Sequence, residues 1–182
     1  MNGTIKWVLA ALAVFGLGAN EGIFAVEPTI APLTTEFAFT ANVLVGTPLV
    51  VDHTPDGVRR YIPITGGTVA GPAINGKVLP AGGDSQIIRS DGVIVLEARY
   101  LIQTDDRVMI SVTNRGYRHA PPAVMARLLR GEHVGRDEYY FRTVAQFEAP
   151  VGSRYEELNK YLFVGTAERE ANAAIVHFYR IK

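Results

Sequence analysis

Arg89–Arg107 reads RSDGVIVLEARYLIQTDDR, an apolar-rich run bracketed by two turn signals. Asp91-Gly92 is a hairpin dipeptide, because Gly takes a positive φ without steric cost. Asp105-Asp106 provides the second reversal. Between them Val93–Thr104 is rich in β-branched and aromatic residues and has the character of a long strand. Alternation sorts its side chains onto two faces. One carries Val93, Val95, Glu97, Arg99, Leu101 and Gln103; the other carries Ile94, Leu96, Ala98, Tyr100, Ile102 and Thr104. Which face points inward is left open.

Outward from this strand the same grammar recurs. Asp84–Ser90 precedes the hairpin, and Arg107–Asn114 follows the second turn. Further strands are predicted over Glu36–Val45, Val58–Ile64, Thr68–Leu79, Tyr139–Phe147, Tyr161–Thr166 and Ala173–Ile181. Thr54–Gly57 (TPDG) is a turn, with Pro presetting φ and Gly accepting a positive one. Gly66-Gly67, Gly71-Pro72 and Asn75-Gly76 interrupt strand patterns as bulges or bends do at barrel corners. Two segments are helical in pattern. Pro121–Arg130 has prolines at its start and Gly131 after its end. Ser153–Lys160 has Ser153 and Glu156 at capping-box spacing. About nine short strands with regular turns predict an all-β, single antiparallel β-barrel with two short helices, the alternative being a β-sandwich.

The 182 residues suit one domain, and 48% hydrophobic against 20% charged residues is the balance of a globular chain. Eighteen Lys and Arg against eighteen Asp and Glu leave a net charge of zero, which argues against a nucleic-acid partner. No cysteine is present, so thiolate metal sites and a cysteine nucleophile are excluded. Lys6 precedes an uncharged run, Trp7–Ala19, too short to cross a bilayer comfortably. Residues 1–25 are therefore read as a signal peptide, cut after Ala25 or Ala19, rather than as an anchor or a core helix. The expectation is a secreted or periplasmic domain over 26–182 with no stable membrane insertion after cleavage.

Three blocks carry a family likeness: GVRRYIPITGGTVAGPAINGKVLPAGGDSQ at Gly57–Gln86, RSDG at Arg89–Gly92, and EARYLIQTDD at Glu97–Asp106. Together they resemble the domain-of-unknown-function family 3237, also called uncharacterised protein family 0311, from about Glu27 to Lys182. The resemblance implies a β-barrel that often pairs into dimers, and it brings no established general activity. The family's positions fall here on Arg60, Gly66-Gly67, Gly71-Pro72, Gly82-Gly83-Asp84, Gln86, Arg89, Asp91-Gly92, Arg99-Tyr100 and Asp106. Ser85 stands where the family has Trp, and Arg107 where it has Gly, which suggests a differently shaped turn after Asp106.

Asp84, Gln86 and Ile88 share a strand face. If that face meets Glu97 and Arg99 across the hairpin, polar groups converge inside the barrel. A carboxylate in an apolar interior has a raised pKa, as a general acid or base needs. Asp84 or Glu97 is thus the candidate proton-transfer group, with Arg99 or Tyr100 stabilising a developing oxyanion. Arg60, Gln86, Arg89, Asp106 and His53, the last placed in a loop at the barrel mouth, are candidate ligand-binding residues. The competing readings are a surface pair for Glu97 and Arg99 and turn-capping roles for Asp84 and Asp91. His53, His119, His133 and His177 lack metal-ligand spacing, and neither a G-x-S-x-G elbow nor a phosphate loop occurs. No cofactor or metal is expected.

Late aromatics, from Tyr139 to Tyr179, are read as core or dimer interface before ligand wall. Three functions follow: binding of a small, partly apolar molecule in the barrel, cofactor-independent isomerase, cyclase or lyase chemistry there, or an assembly role through a homodimer face.

Overall fold

The computed structural model describes residues 31–182. The signal peptide expected over 1–25 lies outside the described residues. Nine strands run in chain order: β1 Thr35–Val45, β2 Leu49–Thr54, β3 Gly57–Ala70, β4 Gly76–Ile88, β5 Ile94–Thr104, β6 Met109–His119, β7 Tyr140–Glu148, β8 Phe163–Arg169 and β9 Ala173–Ile181. They order as β1-β9-β8-β7-β6-β5-β4-β3-β2, and β1 also pairs with β3. That last antiparallel pairing, Thr40 with Ala70 through Leu44 with Gly66, closes eight strands into a barrel. The expected barrel is therefore found, and β2 lies outside it, paired with β3.

The strand inventory differs from the sequence reading in instructive places. The glycine pairs Gly66-Gly67 and Gly82-Gly83 do not end strands. They sit at register shifts inside β3 and β4, where bulges bend two long strands around the barrel. At Gly67 (φ 139) a Cβ would come within 2.0 Å of the Asn42 carbonyl oxygen, so β1 can close against β3 only over a glycine. The predicted Thr68–Leu79 strand is divided by a turn. There Asn75 accepts from the Gly71 amide through Oδ1 (3.2 Å) and donates to the Gly71 carbonyl through Nδ2 (3.0 Å). β2 is a strand where a loop was expected. Arg107 keeps φ at 67, the left-handed conformation that glycine favours, so the departure from the family's Gly leaves the turn in that conformation.

The first expected helix is α1, Pro122–Leu129, opened by proline and followed by Gly131 at φ 76. The second is only a 3₁₀ turn, Glu156–Lys160. Its capping box does not form. Glu156 instead accepts from the Gly152 amide (2.7 Å), and the Ser153 hydroxyl accepts from Tyr155 (3.3 Å).

The interior is divided along the barrel axis. At the end carrying the 3₁₀ turn, Phe39, Phe147, Phe163 and Phe178 are fully enclosed, and Phe147 meets the other three edge-on with ring centroids 4.9 to 5.4 Å apart. Of the late aromatics, Phe147, Phe163 and Phe178 are thus core, whereas Tyr140 and Tyr161 are exposed. At the other end β6 leads through α1 into β7, and this connection sends Leu128 and Val134 into the core. That end is polar inside.

Candidate functional site

Strand register stacks the inward side chains of the polar end in layers. Deepest is Ile62–Asp84–Ala98–Asn114, on β3 to β6. Above it lies Arg60–Gln86–Leu96–Gly116–Thr143, on β3 to β7. Nearest the end lie Ile88, Ile94, Arg118 and Phe141. Small residues make the room. At Gly165 of β8, a Cβ would lie 2.3 Å from the Thr143 hydroxyl oxygen.

The inward face of β5 is the one holding Leu96, Ala98 and Tyr100. Asp84 and Gln86 face this interior, and a relay of hydrogen bonds orients them. Arg60 donates through Nε to Gln86 Oε1 at 2.8 Å. Gln86 donates through Nε2 to Asp84 Oδ2, and the Glu97 backbone amide donates to Asp84 Oδ1 at 3.1 Å. Burial raises the pKa of Asp84 above the ordinary carboxylate range, against the opposing pull of these donors and of Arg118 and Arg60. Tyr100, also buried, has its hydroxyl pushed up and remains a protonated donor.

A cavity of about 50 Å³ lies against Asp84, bounded by Tyr100, Asn114 and Thr143 and by the apolar walls of Val45, Leu96 and Phe141. At roughly 30 Å³ per water, its volume takes one or two waters. Tyr100 Oη, Asn114 Oδ1 and Thr143 Oγ1, all on this cavity, are buried without a hydrogen-bond partner, as is Arg118 Nε. Buried polar atoms are rarely left so. Three neutral groups that need partners thus converge with one perturbed carboxyl on one space.

The other sequence candidates are elsewhere. Glu97 and Arg99 do not converge with Asp84: Glu97 pairs in register with Ser85, one residue out of phase, and faces outward. There Glu97 bridges Arg99 (2.8 Å) and Arg115 (3.1 Å), and these guanidiniums hold its carboxyl low. Arg89 is exposed at the hairpin tip and paired with Asp91. Asp106 sits at the opposite end, accepting from Thr104 and from Tyr155 Oη (2.8 Å). His53 is on β2, outside the barrel, with its side chain 85% exposed and bonded to Asp52. Of the nine candidates, Asp84, Tyr100, Gln86 and Arg60 share the interior.

Asn114, Arg118, Thr143 and Arg169 were missed. A signal for Arg118 was present. It occupies the same phase of β6 as Ile110, Val112 and Asn114, whereas Ser111, Thr113, Arg115 and Tyr117 occupy the outer one. A charged residue in the apolar phase of a strand marks a buried charge.

A protein of the UPF0311 group from Rhodopseudomonas palustris is 41% identical over 149 residues, covering 82% of this chain and 97% of its own length. Its crystal structure superposes with a TM-score of 0.80 at 40% identity, covering 84% of this chain and all of the other. A β-barrel-like protein of Acinetobacter baumannii gives a TM-score of 0.73 at 35% identity over 86% of this chain and all of its own. A protein of Penicillium herquei named hydroalkoxylation enzyme phnH is 39% identical over 106 residues, 58% of this chain and 64% of its own. The model of the family described as protein of unknown function DUF3237 matches residues 33–181, and the chain belongs to that family.

Proposed function

We propose that the polar end of the barrel binds the reactive head of a small organic molecule and moves a proton there, adding a hydroxyl across an activated double bond or reversing that addition, without a cofactor. The observation that carries this reading is Asp84: a buried carboxyl of raised pKa on a cavity whose other polar groups lack partners. A pKa moved toward neutrality suits one group to both halves of a proton transfer. In the forward direction Asp84 takes the hydroxyl proton as the oxygen bonds to carbon. The alkene electron pair moves onto the conjugated oxygen, where Tyr100 donates to the developing negative charge. The neighbouring carbon then takes a proton, so one proton leaves the substrate and one returns. The likeness to a protein named as a hydroalkoxylation enzyme supports this reaction class. A cavity of about 50 Å³ admits only the reacting atoms, leaving the body of the molecule toward Val45 and Ala174.

The test incubates the purified protein in deuterated water with a panel of hydroxy-enones. The expected product is a cyclic ether with one deuterium on the former alkene carbon, absent with Asp84→Asn. Equal yields from the variant and the wild type would sink the reading. So would wild-type protein that neither cyclises nor exchanges any of the panel.

Binding without chemistry uses the same cavity and is favoured by the neutral Tyr100, Asn114 and Thr143 groups. An unaltered small molecule co-purifying with the protein, and retained by Asp84→Asn, is its mark. Homodimer assembly has support of a different kind: among the described residues β2 pairs only with β3, and it exposes Leu49, Val50 and Val51 along its length.

A further inference from the structure

Charge is unbalanced at the polar end. Arg60, Arg118 and Arg169 all turn into the barrel, from β3, β6 and β8, and Asp84 is the carboxyl set among them. Asp84 attracts them at a distance but makes no ion pair with any of the three; its oxygens accept from Gln86 and from the Glu97 amide. Among the described residues, no carboxylate lies within ion-pair distance of any of the three. Arg169 spends its guanidinium on the carbonyls of Glu170, Ala171 and Ala173. Arg60 spends Nε on Gln86. Arg118 is 4% exposed, lies 5.4 Å over the Phe141 ring, and has Nε buried with no acceptor. A guanidinium taken from water without a counter-charge is costly, and a structure retains one where something else completes it.

We infer that the ligand of this end is an organic anion, whose carboxylate or ionised phenol or enol oxygen is held by Arg118 and Arg60. Phe141 backs one face of Arg118, and the planar fork of a guanidinium matches two oxygens of a carboxylate or the oxygens of a chelated enolate. Neither arginine lines the cavity itself; Phe141, on which Arg118 packs, and Thr143 do, which places the anion-holding groups beside the space that Asp84 borders. The inference rests on the reading of this end as the ligand site, and it names the class of molecule that site accepts. It does not need turnover.

The experiment titrates full-length protein with acetate, benzoate and salicylate, each against its neutral amide, at fixed ionic strength in a chloride-free zwitterionic buffer. Calorimetry gives the affinities, and the arginine side-chain Nε–H resonances in NMR give the place. At least one anion is expected to bind about tenfold or more tightly than its amide, a difference of about 1.4 kcal/mol. It should shift the Arg118 Nε–H signal. Arg118→Met and Arg60→Met should each remove the preference, and Glu97→Gln, on the outer face, should keep it. Two variants guard against one failing to fold. Equal affinity for anion and amide across the panel, or an anion preference that survives Arg118→Met, overturns the inference. An anion preference in a protein that turns nothing over leaves this inference standing and removes the catalytic reading. Turnover of uncharged substrates by Arg118→Met does the reverse.

Discussion

Replacing Arg118 by methionine is expected to make the ligand-free protein more stable, the opposite of the usual result for a buried residue. Burial, then the neighbouring Arg60 and Arg169, pushes the Arg118 pKa down to about 10. At 1.36 kcal/mol per pH unit, that lowering corresponds to a cost of about 3 kcal/mol for carrying the charge in the folded state. The sign follows from linkage. Below pH of about 10 the group is charged folded and unfolded, and the fold bears the whole cost. The cost fades only as pH rises through that value toward the ordinary guanidinium range. Methionine fills a similar volume without charge. It gives up the contact of Arg118 with the Phe141 ring, up to about 2 kcal/mol when desolvated. The net gain is about 1 kcal/mol, or about 2–4 °C in Tm for a domain of this size. The assay is thermal unfolding at pH 7 followed by circular dichroism, in zwitterionic buffer with neither carboxylate nor chloride. A fall in Tm of several degrees would refute the argument, because it would mean that the guanidinium is already satisfied within the protein.

Three further outcomes follow from the geometry. Glu97→Gln and Arg99→Ala should each change stability by less than about 1 kcal/mol in urea unfolding, because that pair is solvated on the outer face; a loss of several kcal/mol would place them in the interior. The stability of Asp84→Asn relative to wild type should improve as pH rises. A raised folded pKa contributes stability below the unfolded carboxyl pKa and loses it as pH climbs through the folded value; urea midpoints that differ equally at acid and neutral pH would contradict this. Arg107→Gly should stabilise by about 1 kcal/mol, since an L side chain at φ 67 costs about 1–2 kcal/mol and the glycine's looser unfolded chain returns part of it; an unchanged or lowered urea midpoint counts against it.

Much of the barrel was legible from residues alone. Asp91-Gly92 marks the β4–β5 reversal, and Pro122 with Gly131 brackets α1. The Gly66-Gly67 pair was legible as a bulge or bend but not as an interior point of a long strand, because a bulge and a strand end present the same glycine signal. β2 escaped notice because its Leu49–Val51 run is exposed and pairs on one side only, so it lacks the half-buried alternation that identifies a strand. Ser153 and Glu156 had capping spacing, yet local hydrogen bonds to Gly152 and Tyr155 claimed both side chains.

Alternation along the chain determined which side chains travel together: Glu97 with Arg99, Ala98 with Tyr100, Asp84 with Gln86. Closure of β1 on β3 decided which of the two sets is enclosed, because a strand has two equivalent faces until a sheet curls around one of them. The gathering of Arg60, Asp84, Arg118 and Arg169 was decided there as well. They come from β3, β4, β6 and β8, and only the register of one strand upon the next sets the depth at which each enters the barrel.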